Sequence, residues 1–296
     1  VLKRSFQWIW KMNFHPFRIK GKLNWMGHEI TPFFRELISF GGFRIAFFQS
    51  LQFDLAKRLG EKYQIQACLM TYEGRPWERF FIAGLRKSNM NTKIIGCQHT
   101  VIPLSAADMF LHPKEQDLIP LPDKIVTTGI IPKKILERYS SYPKERIEVG
   151  CALRFEYLQN IPLLKRQSES EWNHFVLLVV FGGSKKEVPL LNYAMEQASL
   201  NKNLTFRMRA HPIFSWTQLL LLSSWGKSLP ENTENSKAPN VLDDLKKCDA
   251  VLYWGTTVAM EALMVGKPII HFDRGDLLNY DPLFEFADFK WQVKRK

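Results

Sequence analysis

Residues 249–273 read DAVLYWGTTVAMEALMVGKPIIHFD, and the fold follows from this stretch. The apolar run 250–254 is patterned as a buried strand, Gly255-Thr256-Thr257 as a tight turn, and residues 258–265 as a helix stopped by Gly266. Residues 268–272 read as a second buried strand. Strand, turn, helix and strand in that order are the βαβ unit of a parallel sheet. Ligands of such sheets sit at the carboxyl ends of strands, where a helix N-terminus offers unpaired N–H groups and partial positive charge. Thr256 and Thr257 add hydroxyl donors, so the unit is suited to an anion, with a nucleotide phosphate the common case. A plain buried βαβ unit with threonine as helix cap accounts for the same pattern.

The pattern repeats outward. Strands are expected at 66–71, 93–98, 124–128 and 146–149, with helices at 51–63, 77–85 and 132–139. A second series begins with FVLLVVF at 175–181 and continues through a helix at 190–199, a strand at 204–208 and a helix at 214–223. Residues 231–239 read as a polar loop, and residues 277–296 mix aromatic and charged side chains. The polar, proline-containing stretch 160–171 is the expected boundary. The fold class is therefore α/β, with a domain at 1–160 and another at 161–296. Residues 1–48 stand apart, because aromatic and basic residues alternate there. That mix suits an anionic bilayer surface, and equally an ordinary subdomain with solvated charges.

The chain of 296 residues carries 41 Lys plus Arg against 29 Asp plus Glu, a net charge of +12, which favours an anionic partner. No nucleic-acid-binding module signature is present, so nucleic acid is not an expected partner. Cys68, Cys97, Cys151 and Cys248 are widely spaced with no C-x-x-C, and read as free thiols of a reducing compartment. No apolar run of 18 residues and no signal peptide is apparent, and the chain begins with Val1 rather than Met, so preceding sequence is not excluded.

Candidate chemistry gathers at strand ends. Glu73 and Arg75 follow the first strand, with Glu78 in the next helix's first turn, where an acidic residue is favourable in itself. His99 follows the second strand. In the second half Gly182, Gly183, Ser184 and Lys185 follow one strand, Arg209, His211 and Pro212 another, and Gly255, Thr256 and Thr257 a third. Convergence of three strand ends on one side of one sheet points to a site more firmly than any single motif.

The residues Arg209-Ala-His211-Pro212, with Trp254-Gly-Thr256-Thr257 and then Glu261-Ala-Leu-x-x-Gly266-Lys-Pro268, resemble paired motifs of bacterial capsule Kdo transferases and polysialyltransferases. They are also similar to those of CDP-glycerol glycerophosphotransferases. In the first half, Tyr72-Glu73-Gly74-Arg75-Pro76-Trp77-Glu78, Gly96-Cys-Gln98-His99 and Val149-Gly150-Cys-Ala-Leu-Arg154 resemble bacterial surface-carbohydrate biosynthesis proteins. The resemblance spans roughly residues 65–275 and departs from the paired-serine form at Thr256-Thr257, where the hydroxyl donors are kept.

This resemblance implies a GT-B architecture, two Rossmann-like βα domains with parallel sheets facing a cleft, and a metal-independent glycosyltransferase. Its donor would be a nucleotide sugar, CMP- or UDP-linked, with Kdo or another acidic sugar as the transferred group and no further cofactor. The acceptor would be a glycan or lipid-linked, and the work cytoplasmic, peripheral on the inner face of the membrane. By position, His211 would contact the donor phosphate or act as acid for the departing nucleotide, and Thr256 and Thr257 would hold the phosphate. Glu261 would bind a ribose hydroxyl, and residues 182–185, together with Arg209, Pro212 and Gly255, would face the donor. Glu73, with His99 as competitor, would activate the acceptor hydroxyl, and Arg75 would hold an acidic sugar's carboxylate. A 2-epimerase of the same fold and a non-enzymatic membrane or polysaccharide-assembly module are the alternatives.

Overall fold

The computed structural model describes residues 7, 21–25, 27–164, 175–226 and 228–294, with the backbone alone for residues 25, 34 and 37–46. Of the segment 1–48 that suggested a bilayer surface, residues 1–6, 8–20 and 26 lie outside the described residues. The chain forms two α/β units. One holds the described residues up to Thr100 with Asp108–Cys151; the other holds Val101–Ala107 with those from Ala152 onward. The expected boundary was at 160; the chain divides at Cys151, and the short segment 101–107 goes with the second unit.

In the first unit a helix α1, Thr31–Tyr63, leads into strand β1, Ala67–Thr71, then helix α2, Pro76–Ser88, and strand β2, Lys93–Cys97. Strand β3, Lys124–Thr127, helix α3, Ile130–Tyr139, and strand β4, Ile147–Val149, complete it. The four strands pair in parallel in the order β1-β2-β3-β4. One face carries the buried Ile94, Gly96, Ile125 and Ile147; the opposite face, with Leu69, Ile95, Cys97 and Val126, holds no buried residue. An antiparallel pair, Asn24–Trp25 with His28–Glu29, precedes α1.

Helix α1 starts at Thr31 rather than at residue 51, and Pro32 sits in its first turn. It runs through Gly41 and Gly42, although glycine's helix propensity is low. The packing against α2 is close. A Cβ at Gly84 would lie 2.3 Å from the Phe53 carbonyl oxygen and 2.8 Å from Ala56 Cβ. Gly84→Ala is therefore expected to cost about 2 kcal/mol by overpacking, read as a lower denaturation midpoint; an unchanged midpoint would show that the helices separate freely.

The second unit is a six-stranded parallel sheet. Its elements are β5, Phe175–Val180; α4, Val188–Leu200; β6, Leu204–Arg209; α5, Trp216–Leu222; and β7, Thr233–Asn235. Then come α6, Val241–Lys246; β8, Ala250–Tyr253; α7, Val258–Met264; β9, Ile269–Asp273; and β10, Trp291–Lys294. The spatial order is β10-β9-β8-β5-β6-β7. The chain builds outward from β5 to β7, then returns to place β8 on the other side of β5, which is the Rossmann order with a switch point between β5 and β8. Both faces are covered. Leu177, Val179, Leu252 and Trp254 pack on one side with Leu190, Leu191 and Met195 of α4. Leu178, Val180, Val251 and Tyr253 pack on the other with Ala259 and Ala262 of α7. That double burial is why the strands read as continuous apolar runs.

The loop expected at 231–239 contains β7, and the tail contains β10, paired in parallel with β9. Tyr253 Oη donates to buried Asp281 at 2.9 Å, and Lys290 Nζ donates to the same carboxylate, tying the tail to the sheet. Among the described residues no helix is long and apolar enough to cross a membrane.

Candidate functional site

Strands β5, β6 and β8 end side by side at the switch point, and a cavity of about 530 Å³ opens there. Residues after each strand line it: Gly182 after β5; Arg209, His211 and Pro212 at and after β6; Gly255, Thr256 and Thr257 after β8. Glu261 joins them from α7, and Arg154 and Tyr157 from the 3-10 turn Leu153–Leu158. Thr256 and Glu261 are buried, and Arg154 is exposed.

His211 is held at its Nδ1 edge by two contacts. Its Nδ1 accepts the Ile213 N–H at 3.2 Å, which puts the ring proton of the neutral form on Nε2. Beneath the ring lies Gly183, at φ +89°, where a Cβ would stand 2.6 Å from His211 Nδ1. Burial, aided by the positive charge of Arg154, holds the imidazole below the ordinary histidine range. At neutral pH His211 is a neutral hydrogen-bond donor.

Arg154 Nη2 donates to Thr257 Oγ1 at 3.1 Å and forms no ion pair with any described residue, so its charge is unspent. Thr256 Oγ1 accepts the Val258 N–H at 3.4 Å. Helix α7 is only seven residues long. Few peptide dipoles align in two turns, so the field that favours an anion comes chiefly from Arg154. Tyr157 Oη donates to Glu261 Oε2, and burial, then Glu261, pushes the Tyr157 hydroxyl well above its ordinary range.

Arg209 is committed elsewhere. Its Nη1 meets Asp244 Oδ2 at 2.5 Å and the Ala238 carbonyl at 3.2 Å. Asp244 is buried and also accepts from Ser236 Oγ. Gly183, Ser184 and Lys185 do not line the cavity. The backbone N–H groups of Gly182, Gly183 and Ser184 are taken by the buried carboxylate of Glu187.

In the first unit Glu73, Arg75 and His99 come together. His99 Nδ1 is 3.2 Å from Glu73 Oε1, at ion-pair range but off hydrogen-bond angle, and that oxygen is wholly buried. Arg75 Nε is 3.9 Å from Glu73 Oε2, while its Nη1 donates to Asp108 Oδ2 at 2.9 Å. The Arg75 fork is thus partly spent on Asp108. Gly74, at φ +71°, lets this loop press on the Asp108 backbone, since a Cβ there would lie 1.8 Å from the Asp108 carbonyl oxygen. Glu78 caps α2: its carboxylate accepts N–H groups of Glu73 and Arg75, and burial, offset by those bonds, leaves its carboxyl above the usual range.

Arg154, Tyr157 and Glu187 were given no role by the sequence reading. The first stood inside a quoted motif without a function. Glu187 had a signal, because Ser184-x-x-Glu187 is a capping-box spacing. Arg154 and Tyr157 had none, lying on an irregular turn more than a hundred residues from Thr257 and Glu261. Among the described residues no group of three His, Cys, Asp or Glu side chains is arranged to hold a metal ion.

No family model and no curated protein matches the chain by sequence. Solved structures match its fold. The glycosyltransferase of kitacinnamycin superposes with a TM-score of 0.51 at 13% identity, over 83% of this chain and 68% of that one. A UDP-N-acetylglucosamine 2-epimerase from Rickettsia bellii gives 0.51 at 15% identity, over 83% and 65%. The S. aureus MnaA–UDP co-structure gives 0.51 at 14%, over 97% and 73%. The chain spans about half the length, 48% and 49%, of the matching chains of TarM and the GtfA/B complex. At these identities the likeness is one of fold: an α/β chain with parallel sheets in two domains, as in the GT-B glycosyltransferases.

Proposed function

We propose that the chain is a glycosyltransferase that takes its sugar from a nucleotide donor, CMP- or UDP-linked, and that the donor's phosphate lies in the switch-point cavity of the second unit. One observation carries this reading: at the carboxyl ends of three adjacent strands an unspent arginine, a neutral histidine with its proton on Nε2, and two threonine hydroxyls line one cavity. An open phosphate or diphosphate needs that set of donors. Glu261, held by Tyr157, is the proposed acceptor for ribose hydroxyls. UDP in the MnaA co-structure supports a pyrimidine nucleotide. The motif resemblance supports bacterial surface polysaccharide as the product, with a glycan or lipid-linked acceptor; the +12 charge supports work at an anionic membrane surface.

In the proposed reaction an acceptor hydroxyl oxygen bonds to the anomeric carbon as the bond from that carbon to the donor phosphate oxygen breaks. The nucleotide leaves as a phosphate anion stabilised by Arg154 and His211. The hydroxyl proton goes to a general base, the role the motif resemblance gives Glu73, with His99 as competitor. Glu73 Oε1 is wholly buried beside His99 Nδ1, and the half-exposed imidazole is the more accessible group of the two.

Nucleotide release from CMP- and UDP-sugars, with and without acceptor glycan, tests the reading. Release that requires acceptor supports a transferase. Inversion at C2 of the sugar without acceptor, with or without net nucleotide release, supports a 2-epimerase, which the Rickettsia bellii likeness keeps in view.

His211 sets a pH dependence. It is neutral in the free protein because its pKa is lowered, and a bound phosphate would raise that pKa. A group whose pKa rises on binding takes up a proton, so nucleotide affinity is expected to increase as pH falls from 8 towards 6. Calorimetric titration across that range checks it, with His211→Gln as reference for the phosphate's own titration. Parallel pH profiles for the two proteins would exclude His211 from the phosphate.

A further inference from the structure

A glycine-rich turn after the first strand of a Rossmann sheet invites a phosphate onto its backbone N–H groups. Here those groups are occupied. Glu187 Oε1 accepts from Gly182 N–H, and Oε2 accepts from Gly183 N–H at 2.9 Å and Ser184 N–H at 3.3 Å. Glu187 is 1% exposed. The turn is closed further by Ser184 Oγ, which accepts the Lys186 N–H at 3.2 Å. There is no spare room: a Cβ at Gly182 would stand 3.1 Å from Glu187 Oε1 and 3.3 Å from the Gly255 carbonyl oxygen. The same turn supports His211, whose ring lies directly on Gly183.

We infer that Glu187 is a positioning residue: its carboxylate is a built-in anion that fills the Gly182–Ser184 amide nest, holds Gly183 as the platform under His211, and keeps substrate phosphate out of that nest. This rests on the proposed function for the part that concerns the nucleotide. The chain of contacts is short and directional. Three N–H donors fix the turn to the carboxylate, the left-handed Gly183 presents its bare Cα to the Nδ1 edge of the imidazole, and the Ile213 N–H bonds Nδ1 itself. An amide side chain at 187 would turn an N–H toward one of those donors and loosen the turn. Substrate phosphate is then left to Arg154, Thr257 and His211 on the β6 and β8 side of the cavity.

The test needs four proteins, wild type, Glu187→Gln, His211→Ala and the double variant, with UDP, CDP and CMP as probes. In wild type labelled with ¹⁵N-glycine, nucleotide is expected to move the Gly255 amide resonance and leave those of Gly182 and Gly183 nearly in place. Glu187→Gln is expected to weaken nucleotide binding about tenfold, and the double variant to bind within twofold of His211→Ala alone, because both changes act through one ring. The inference is overturned if nucleotide shifts Gly182 and Gly183 most, if freeing the nest by Glu187→Ala or Glu187→Gln tightens binding, or if the two losses multiply. If wild type binds no nucleotide, the functional reading fails by itself, and the platform is judged by the His211 ring resonances. They must shift in unliganded Glu187→Gln, and their staying unchanged sinks it.

Discussion

Arg154→Ala is expected to weaken nucleotide binding by about 10- to 100-fold, the loss of a charge-assisted contact worth about 1.5–3 kcal/mol, while leaving the fold's stability within about 0.5 kcal/mol of wild type. The second half follows from placement. Arg154 is exposed, sits on a 3-10 turn, and hydrogen-bonds Thr257 Oγ1 at 3.1 Å, with no ion pair to any described residue. The first half follows from charge. The other arginine at the cavity, Arg209, is neutralised by Asp244, and α7 is too short to supply much field. Arg154→Lys should recover part of the affinity, since a lysine restores the charge without the planar fork. The variant also changes His211. Burial is the larger cause of that histidine's depressed pKa and Arg154 the next. Removing the arginine raises the pKa, so the rise in affinity on acidification should begin at higher pH in Arg154→Ala. Calorimetry gives both the affinity and the pH profile; an unchanged affinity would remove Arg154 from the site.

Asp244→Ala has the largest expected effect on stability. The Asp244 side chain is 3% exposed and that of Arg209 21%, and the two meet at 2.5 Å. Deleting the carboxylate strands a largely buried guanidinium and leaves Ser236 without its acceptor. Breaking one partner of such a pair costs about 3 kcal/mol, at the low end of the usual range because Arg209 keeps some water. Urea unfolding should show it as a lower midpoint at unchanged slope. Asp244→Asn should cost less, since it keeps a hydrogen bond to Ser236 and loses only the charge. Arg209 closes β6 two residues before His211, so nucleotide binding should fall in Asp244→Ala even where the protein remains folded. A loss below 1 kcal/mol would mean that Arg209 finds water or another partner.

The sequence carried the central strands of the second unit clearly and its edges poorly. Strands β5 and β8 are buried on both faces and therefore read as FVLLVV and AVLY, runs that few other structures produce. Strands β7 and β10 are TEN and WQVK, at the two margins of the sheet, where a strand has one neighbour and little apolar demand. Helix α1 was truncated because Gly41-Gly42 breaks the local preference. In the site, His211, Thr256, Thr257 and Glu261 could be placed because each follows a recognisable strand. Arg154 and Tyr157 could not, because tertiary contact alone brings the turn 153–158 to the cavity. The residues after β5 were legible as a glycine turn, but their chemistry was not: Lys185 drew attention as a phosphate ligand, while Glu187, two residues on, holds the turn's N–H groups.

The central claim is that the switch-point cavity binds a pyrimidine nucleotide, and a thermal-shift panel with CMP, CDP, UDP and GDP tests it most directly. A ligand that binds only the folded state raises its melting temperature by mass action, by about 2.7 kcal/mol of stability at a hundredfold excess over the dissociation constant. The account predicts a clear rise with a cytidine or uridine nucleotide, little with GDP, and loss of the rise in His211→Ala and Arg154→Ala. No rise with any of the four, or a rise that both variants keep, would contradict it.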